Sequence, residues 1–191
     1  NTTFKIQNSN ISTISSLKAS KTLFKAYQFK PLLKFLNSDN KRLLVADEVG
    51  LGKTIEAGHI MLELKARNEL RNVLLVCTLS LQEKWKAELK NKFGLSFTIY
   101  EDVATLKQQL KDNDGSIKGI INYEKIRMKK RSDDTVDEKK ESLIDFITRN
   151  KKKFSLIVCD EAHKMRNSET QTYKGAELLM QCADAAIFLT A

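Results

Sequence analysis

An α/β fold, with a mainly parallel sheet and helices on both of its faces, is predicted by three observations. Six short apolar runs, at residues 43–46, 73–77, 97–100, 117–121, 154–159 and 185–189, alternate with segments of helical composition. The first run breaks into a glycine-bearing turn (Gly50, Gly52) and then into a helix-compatible stretch, the strand, loop, helix order of a phosphate-binding P-loop. The fifth run ends on two adjacent carboxylates, Asp160 and Glu161. Parallel strands need long crossovers, which helices fill. In such sheets ligands collect outside the carboxyl ends of the strands, so the residues just after each strand are expected to converge.

In chain order, residues 1–20 are rich in Asn, Ser and Thr and stay unassigned: an edge strand, a pendant segment and no fixed structure all fit. Residues 21–191 are expected to form one domain. Residues 21–36 carry Leu23, Phe24, Tyr27, Leu32, Leu33, Phe35 and Leu36 in a helix-compatible pattern, interrupted by Pro31, the only proline. A helix beginning near Pro31 is the simplest reading, with Gln28 just ahead of it. The Gln28 amide has both donors and acceptors, so it can read an adenine edge or serve as a plain polar residue at a helix start. Further helices are expected at 55–67, with Glu and Lys outward, and at 81–92, 103–111, 142–150 and 172–181. His59 reads as an ordinary helix residue, and Trp85, spaced with Leu81 and Leu89, as core packing. Residues 127–141, RMKKRSDDTVDEKKE, read as a solvated loop; the alternative is an arm that touches nucleic acid.

With 191 residues, 41% of them hydrophobic, the chain can bury one sizeable core. A net charge of +9 favours an acidic partner such as nucleic acid or anionic lipid. No apolar run approaches the roughly 20 residues that span a bilayer, and the N-terminus lacks a basic-then-apolar leader. An intracellular, cytoplasmic protein without a membrane partner is expected. Cys77, Cys159 and Cys182 lie far apart, two of them in apolar runs, which suits buried free thiols better than disulfides or a metal site.

The chemistry sits in two stretches. Asp47, Glu48, Val49, Gly50, Leu51, Gly52, Lys53 and Thr54 form the P-loop candidate, although the general pattern has glycine where Asp47 stands. Backbone N–H groups turned toward one point, together with the positive end of the following helix, favour an anion such as a nucleotide's phosphate tail. Lys53 would meet the outer phosphates as a point charge, and the Thr54 hydroxyl would take one position on Mg2+, a cation that prefers hard oxygen ligands. Asp160 would hold the same metal, directly or through water, while Glu161 would orient and deprotonate the attacking water.

Five segments then resemble, in order, the motifs of the first RecA-like lobe of Swi/Snf-type ATPases in helicase superfamily 2: ADEVGLGKTIEAG at 46–58, VCTLSLQEKWKAEL at 76–89, INYE at 121–124, CDEAHKMRN at 159–167 and FLTA at 188–191. Asp47 is the usual residue there, and the wording at 47–58 most resembles the bacterial branch, which includes an RNA-polymerase-associated remodeller. The resemblance, which covers residues 27–191, implies a RecA-like P-loop domain that takes ATP and Mg2+. By it, Gln28 reads adenine, Asp47 to Thr54 wrap the phosphates, Asp160 and Glu161 serve metal and water, and His163 links nucleotide state to neighbouring motifs. Thr78, Ser80, Asn122 and Tyr123 resemble segments that touch nucleic acid. The implied partners are double-stranded DNA, a second RecA-like lobe whose arginines complete the ATP site, and RNA polymerase or another DNA-bound complex. The motif at 188–191 normally continues with Thr-Pro, and this lobe by itself is expected to bind ATP weakly and hydrolyse it poorly. A DNA translocase that remodels such complexes is the leading expectation. A strand-separating DNA or RNA helicase, and a basic nucleic-acid-binding scaffold with a vestigial nucleotide site, stand beside it.

Overall fold

The computed structural model describes residues 19–23, 25–46, 52–112, 116–128 and 141–190. Among them the strands are β1 (Arg42–Ala46), β2 (Val73–Cys77), β3 (Thr98–Ile99), β4 (Lys118–Asn122), β5 (Phe154–Asp160) and β6 (Ala183–Thr190). They form one sheet in the order β1-β6-β5-β2-β4-β3, with every neighbouring pair parallel. The helices are α1 (Lys30–Leu36), α2 (Lys53–Ala66), α3 (Leu79–Phe93), α4 (Val103–Asp112), α5 (Leu143–Arg149) and α6 (Gln171–Gln181). Among the described residues three short 3-10 turns, Ala26–Phe29, Tyr123–Ile126 and Ala162–Met165, were not foreseen; the last two follow strand tips. The parallel sheet covered by helices is the one that the alternation of apolar runs and helical segments predicts, and it is RecA-like, as the resemblance implies.

The central strands are buried on both sides, which is why they read as unbroken apolar runs. Their side chains alternate between two cores. Val73, Leu75, Cys77, Leu156 and Val158 point into a core with Phe29, Leu32, Ile60, Met61, Trp85 and Leu89 of the helical segments before and after β1 and β2. Leu74, Val76, Ile157 and Cys159 point into the other, with Leu106, Leu110, Ile144, Phe146, Ile147 and Leu179 from α4, α5 and α6. The three cysteines are free thiols; Cys77 and Cys159 are buried on opposite faces of the sheet. Asn72 ties strand starts together: its side chain accepts from Ile117 N at 3.0 Å and donates to Lys153 O at 3.1 Å. Pro31 lies in the first turn of α1, where its missing N–H costs nothing. Gly175 in α6 has no room for a Cβ, which would run into the backbone carbonyl of Ile126. This close approach seats α6 on the turn after β4. Among the described residues no helix is long and apolar enough to cross a membrane.

Two expectations change. The fourth apolar run pairs as foreseen, but the third yields only the two-residue β3 at the sheet edge. In α2, Glu56 and Glu63 are not outward: residues 55–64 are buried all round, and Glu63 is answered by the Arg67 guanidinium at 2.8 Å. Amphipathic reading failed there because α2 lies between sheet, α1 and α3 rather than at the surface.

His59 in α2 is wholly buried, its ring 4.2 Å from Phe29 and edge-on to Phe93 at 5.3 Å, with no hydrogen-bond partner for either nitrogen among the described residues. Burial disfavours the charged ring and pushes its pKa down to about 4. The unfolded chain, near the ordinary 6.5, then binds this proton more readily than the folded one between those two pH values. Stability contributed by neutral His59 is therefore complete above about pH 6.5 and is lost as pH falls toward 4. Urea midpoints measured across that window should fall with pH in the wild type and fall less steeply in His59→Leu. Equal slopes would remove His59 as a cause.

Candidate nucleotide site

β1 ends at Ala46 and points the chain toward the P-loop candidate; Asp47, Glu48, Val49, Gly50 and Leu51 lie outside the described residues. Description resumes at Gly52, whose φ of 101° is a left-handed conformation that an L side chain adopts only with strain. Its carbonyl accepts from Ile55 N and Glu56 N, which starts α2 directly at Lys53 and Thr54. A Cβ on Gly52 would stand 2.5 Å from Gln28 Nε2. Gln28 is buried in the turn ahead of α1, so the structure brings its amide against the last glycine of the loop. Two segments that the sequence keeps apart thus meet at one helix start.

β5 delivers the acids. Asp160 is only 7% exposed. Its Oδ2 accepts from Trp85 Nε1 at 2.7 Å, its Oδ1 accepts from Glu161 N at 2.9 Å, and its main-chain carbonyl accepts from the Tyr123 hydroxyl at 2.6 Å. Burial raises the Asp160 pKa; the Trp85 and Glu161 hydrogen bonds and the Lys53 ammonium oppose the rise, while the Glu161 charge adds to it. The tips of β1 and β5 finish at the same edge of the sheet, since Ala46 pairs with Thr190 and Asp160 with Leu189 of β6, the strand between them.

Glu161 takes a left-handed backbone at φ 57°, which turns the chain sharply off the strand. Its Oε2 lies 3.3 Å from His163 Nδ1, and the same nitrogen is 3.4 Å from Thr190 Oγ1 at the end of β6. Glu161, His163 and Thr190 are thus joined across two neighbouring strand ends.

The donor set suits Mg2+. Thr54 offers a hydroxyl and Asp160 a carboxylate, both hard oxygens. Asp160 is mostly buried, and a cation there would offset the cost of keeping its carboxylate charged away from water. Among the described residues no three His, Cys, Asp or Glu side chains cluster into a metal cage. A magnesium ion shared with a substrate's phosphates requires none.

The residues expected at nucleic acid divide into two pairs. Thr78 and Ser80 stand where β2 passes into α3, their hydroxyls 3.2 Å apart, Ser80 exposed and Leu79 between them 65% exposed. Asn122 and Tyr123 are buried and engaged inside the fold: Asn122 Oδ1 caps the following turn by accepting from Lys125 N, and Tyr123 serves the Asp160 carbonyl. Asn122 is 5% and Tyr123 9% exposed. Trp85 packs in the core as expected, but its bond to Asp160 was missed. The usable signal was chemical, since a buried indole N–H needs an acceptor.

A family model described as the SNF2-related domain matches residues 11–189. RNA polymerase-associated protein RapA of Proteus mirabilis (strain HI4320) is 32% identical over 163 residues, which cover 80% of this chain and 15% of that protein. RapA of Sodalis glossinidius (strain morsitans) is 34% identical over 153 residues, with 78% of this chain and 15% of that protein covered. The chain thus spans about 15% of the length of these curated relatives. Among solved structures, the Sulfolobus solfataricus SWI2/SNF2 ATPase core in complex with dsDNA superimposes with a TM-score of 0.67 at 25% identity, over 90% of this chain and 32% of that one. The Sulfolobus solfataricus SWI2/SNF2 ATPase core domain, at 23% identity and a TM-score of 0.64, shares the fold.

Proposed function

This chain belongs to the SNF2-related family, as a Swi/Snf-type RecA-like lobe of helicase superfamily 2, and from that premise we propose that it is the ATP-binding lobe of a double-stranded DNA translocase that remodels protein–DNA or polymerase–DNA complexes. The reading rests on one observation: β1, which leads to Lys53, and β5, which ends in Asp160, finish at the same edge of the sheet, with Ala46 opposite Thr190 and Asp160 opposite Leu189 of the β6 strand between them. A cation and a carboxylate that share one space beside a helix start suit a magnesium nucleotide.

In this reading Gln28 reads the adenine edge, and residues 47–54 wrap the phosphates with Lys53 against the outer ones. Thr54 and Asp160 hold Mg2+, which when bound neutralises charge on the phosphate oxygens. Glu161 accepts a proton from water as the water oxygen bonds to the γ-phosphorus and the bond to the ADP oxygen breaks. His163, between Glu161 and Thr190, passes nucleotide state to the end of β6. Thr78 and Ser80 contact the tracked strand's phosphates from the exposed start of α3. A second RecA-like lobe supplies arginines to the transferred phosphoryl group. The Sulfolobus neighbour's complex with dsDNA supports duplex DNA as the track. The RapA relatives, RNA polymerase-associated by name, support a polymerase–DNA complex as the target and the cytoplasm as the place of action.

ATP turnover of the full-length protein, measured in parallel with duplex DNA, single strands and RNA, tests this. Stimulation by duplex without strand displacement is the expected result. Preference for single strands with unwinding would replace the translocase by a helicase, and no stimulated turnover would leave a scaffold with a vestigial site.

A further inference from the structure

Asp160 is held at three points from three directions. The indole of Trp85, on α3, donates to Oδ2 at 2.7 Å; its own successor Glu161 donates to Oδ1 at 2.9 Å; and Tyr123, on the turn after β4, donates to the carbonyl at 2.6 Å. Trp85 and Asp160 are 2% and 7% exposed, so water offers little substitute for the bond between them. The Glu161 and Tyr123 bonds use main-chain groups on one side of each contact. The Trp85 bond alone joins side chain to side chain across the fold, and it crosses from the middle of α3 to the tip of β5.

Resting on the nucleotide reading above, we propose that Trp85 is a positioning residue for the metal-binding carboxylate: its indole N–H fixes the orientation in which Asp160 meets Mg2+. A carboxylate free to rotate must be ordered each time the metal binds, whereas one already held by a neighbouring donor is ready for it. Outer partners of this kind typically account for about 10- to 100-fold in metal affinity or activity. The ring fills core volume as well, packed in the cluster with Leu89 and Phe93. Bulk and hydrogen bond are separable, because phenylalanine keeps most of the former and none of the latter.

The test uses the 191-residue chain, whose single tryptophan gives one indole signal in a nitrogen-15 spectrum. ATP affinity is measured by calorimetry with EDTA and again with magnesium chloride, for wild type and Trp85→Phe. The expected result is equal affinity without metal and a gain from magnesium that is about tenfold smaller in the variant. In the wild type, magnesium with ATP should move the indole resonance, and Asp160→Asn should shift it in the metal-free chain. This second measurement decides the matter even where Trp85→Phe folds poorly. An equal magnesium gain in wild type and Trp85→Phe, or an indole resonance indifferent to both Asp160→Asn and magnesium with ATP, overturns the proposal while the nucleotide site stands. A wild-type chain that gains no ATP affinity from magnesium overturns the nucleotide reading and this inference with it.

Discussion

Glu161→Gln is expected to lower nucleic-acid-stimulated ATP turnover of the full-length protein by about a thousandfold, within the range that a positioned general base contributes, while ATP binding persists. The amide keeps the size and shape of the side chain but cannot accept a proton from water. Glu161 is well placed for the role. Its left-handed backbone swings it off β5 immediately after Asp160, and it is 28% exposed, open enough to meet water. Its one side-chain contact among the described residues is His163 Nδ1 at 3.3 Å, a contact that glutamine can also make. Loss of turnover with intact binding would therefore point to proton transfer rather than to collapse of the loop. Turnover within tenfold of wild type would assign the base elsewhere.

Lys53→Ala should act earlier, on binding. Removing one partner of a desolvated charge pair costs about 2–5 kcal/mol, so ATP affinity should fall by about 30-fold or more, and turnover with it. Lys53 also opposes the upward shift of the Asp160 pKa, so in the variant the buried carboxylate rises further and is less ready to meet a cation. Calorimetry on the chain, paired with thermal unfolding in the absence of nucleotide, separates the effects. Near-wild-type stability with lost affinity is the expected pair. Undiminished affinity would remove Lys53 from the phosphates and weaken the site as a whole.

Much of this arrangement can be read before any coordinates. Val73–Cys77 and Phe154–Asp160 are buried on both faces, and only a parallel sheet between two helical layers asks for that. The alternation with helical segments then supplied the crossovers, and strand ends pointed to the acids and to Lys53. Partners formed through space were harder to see. Nothing near Trp85 in the sequence names Asp160, and nothing near Tyr123 says that its hydroxyl is committed inward. The burial of Glu56, His59 and Glu63 on α2 was hidden for the same reason, since it depends on which neighbours cover a helix rather than on the helix's own pattern. Gln28 was readable as a candidate, but its approach to Gly52 is a fact of three dimensions.

The pleat of the sheet has a bearing on survival under oxidants. Cys77 and Cys159 occupy adjacent strands, yet one thiol sinks into each of the two cores, with a layer of backbone between them. Burial pushes both thiols up to about 12, which leaves little of the nucleophilic thiolate at neutral pH. Peroxide or disulfide reagents thus find neither of these two thiols placed to bridge the other or poised to react beside Asp160. Burial and the two-residue rhythm of the strands together keep these two thiols apart and unreactive at the edge where Asp160 lies.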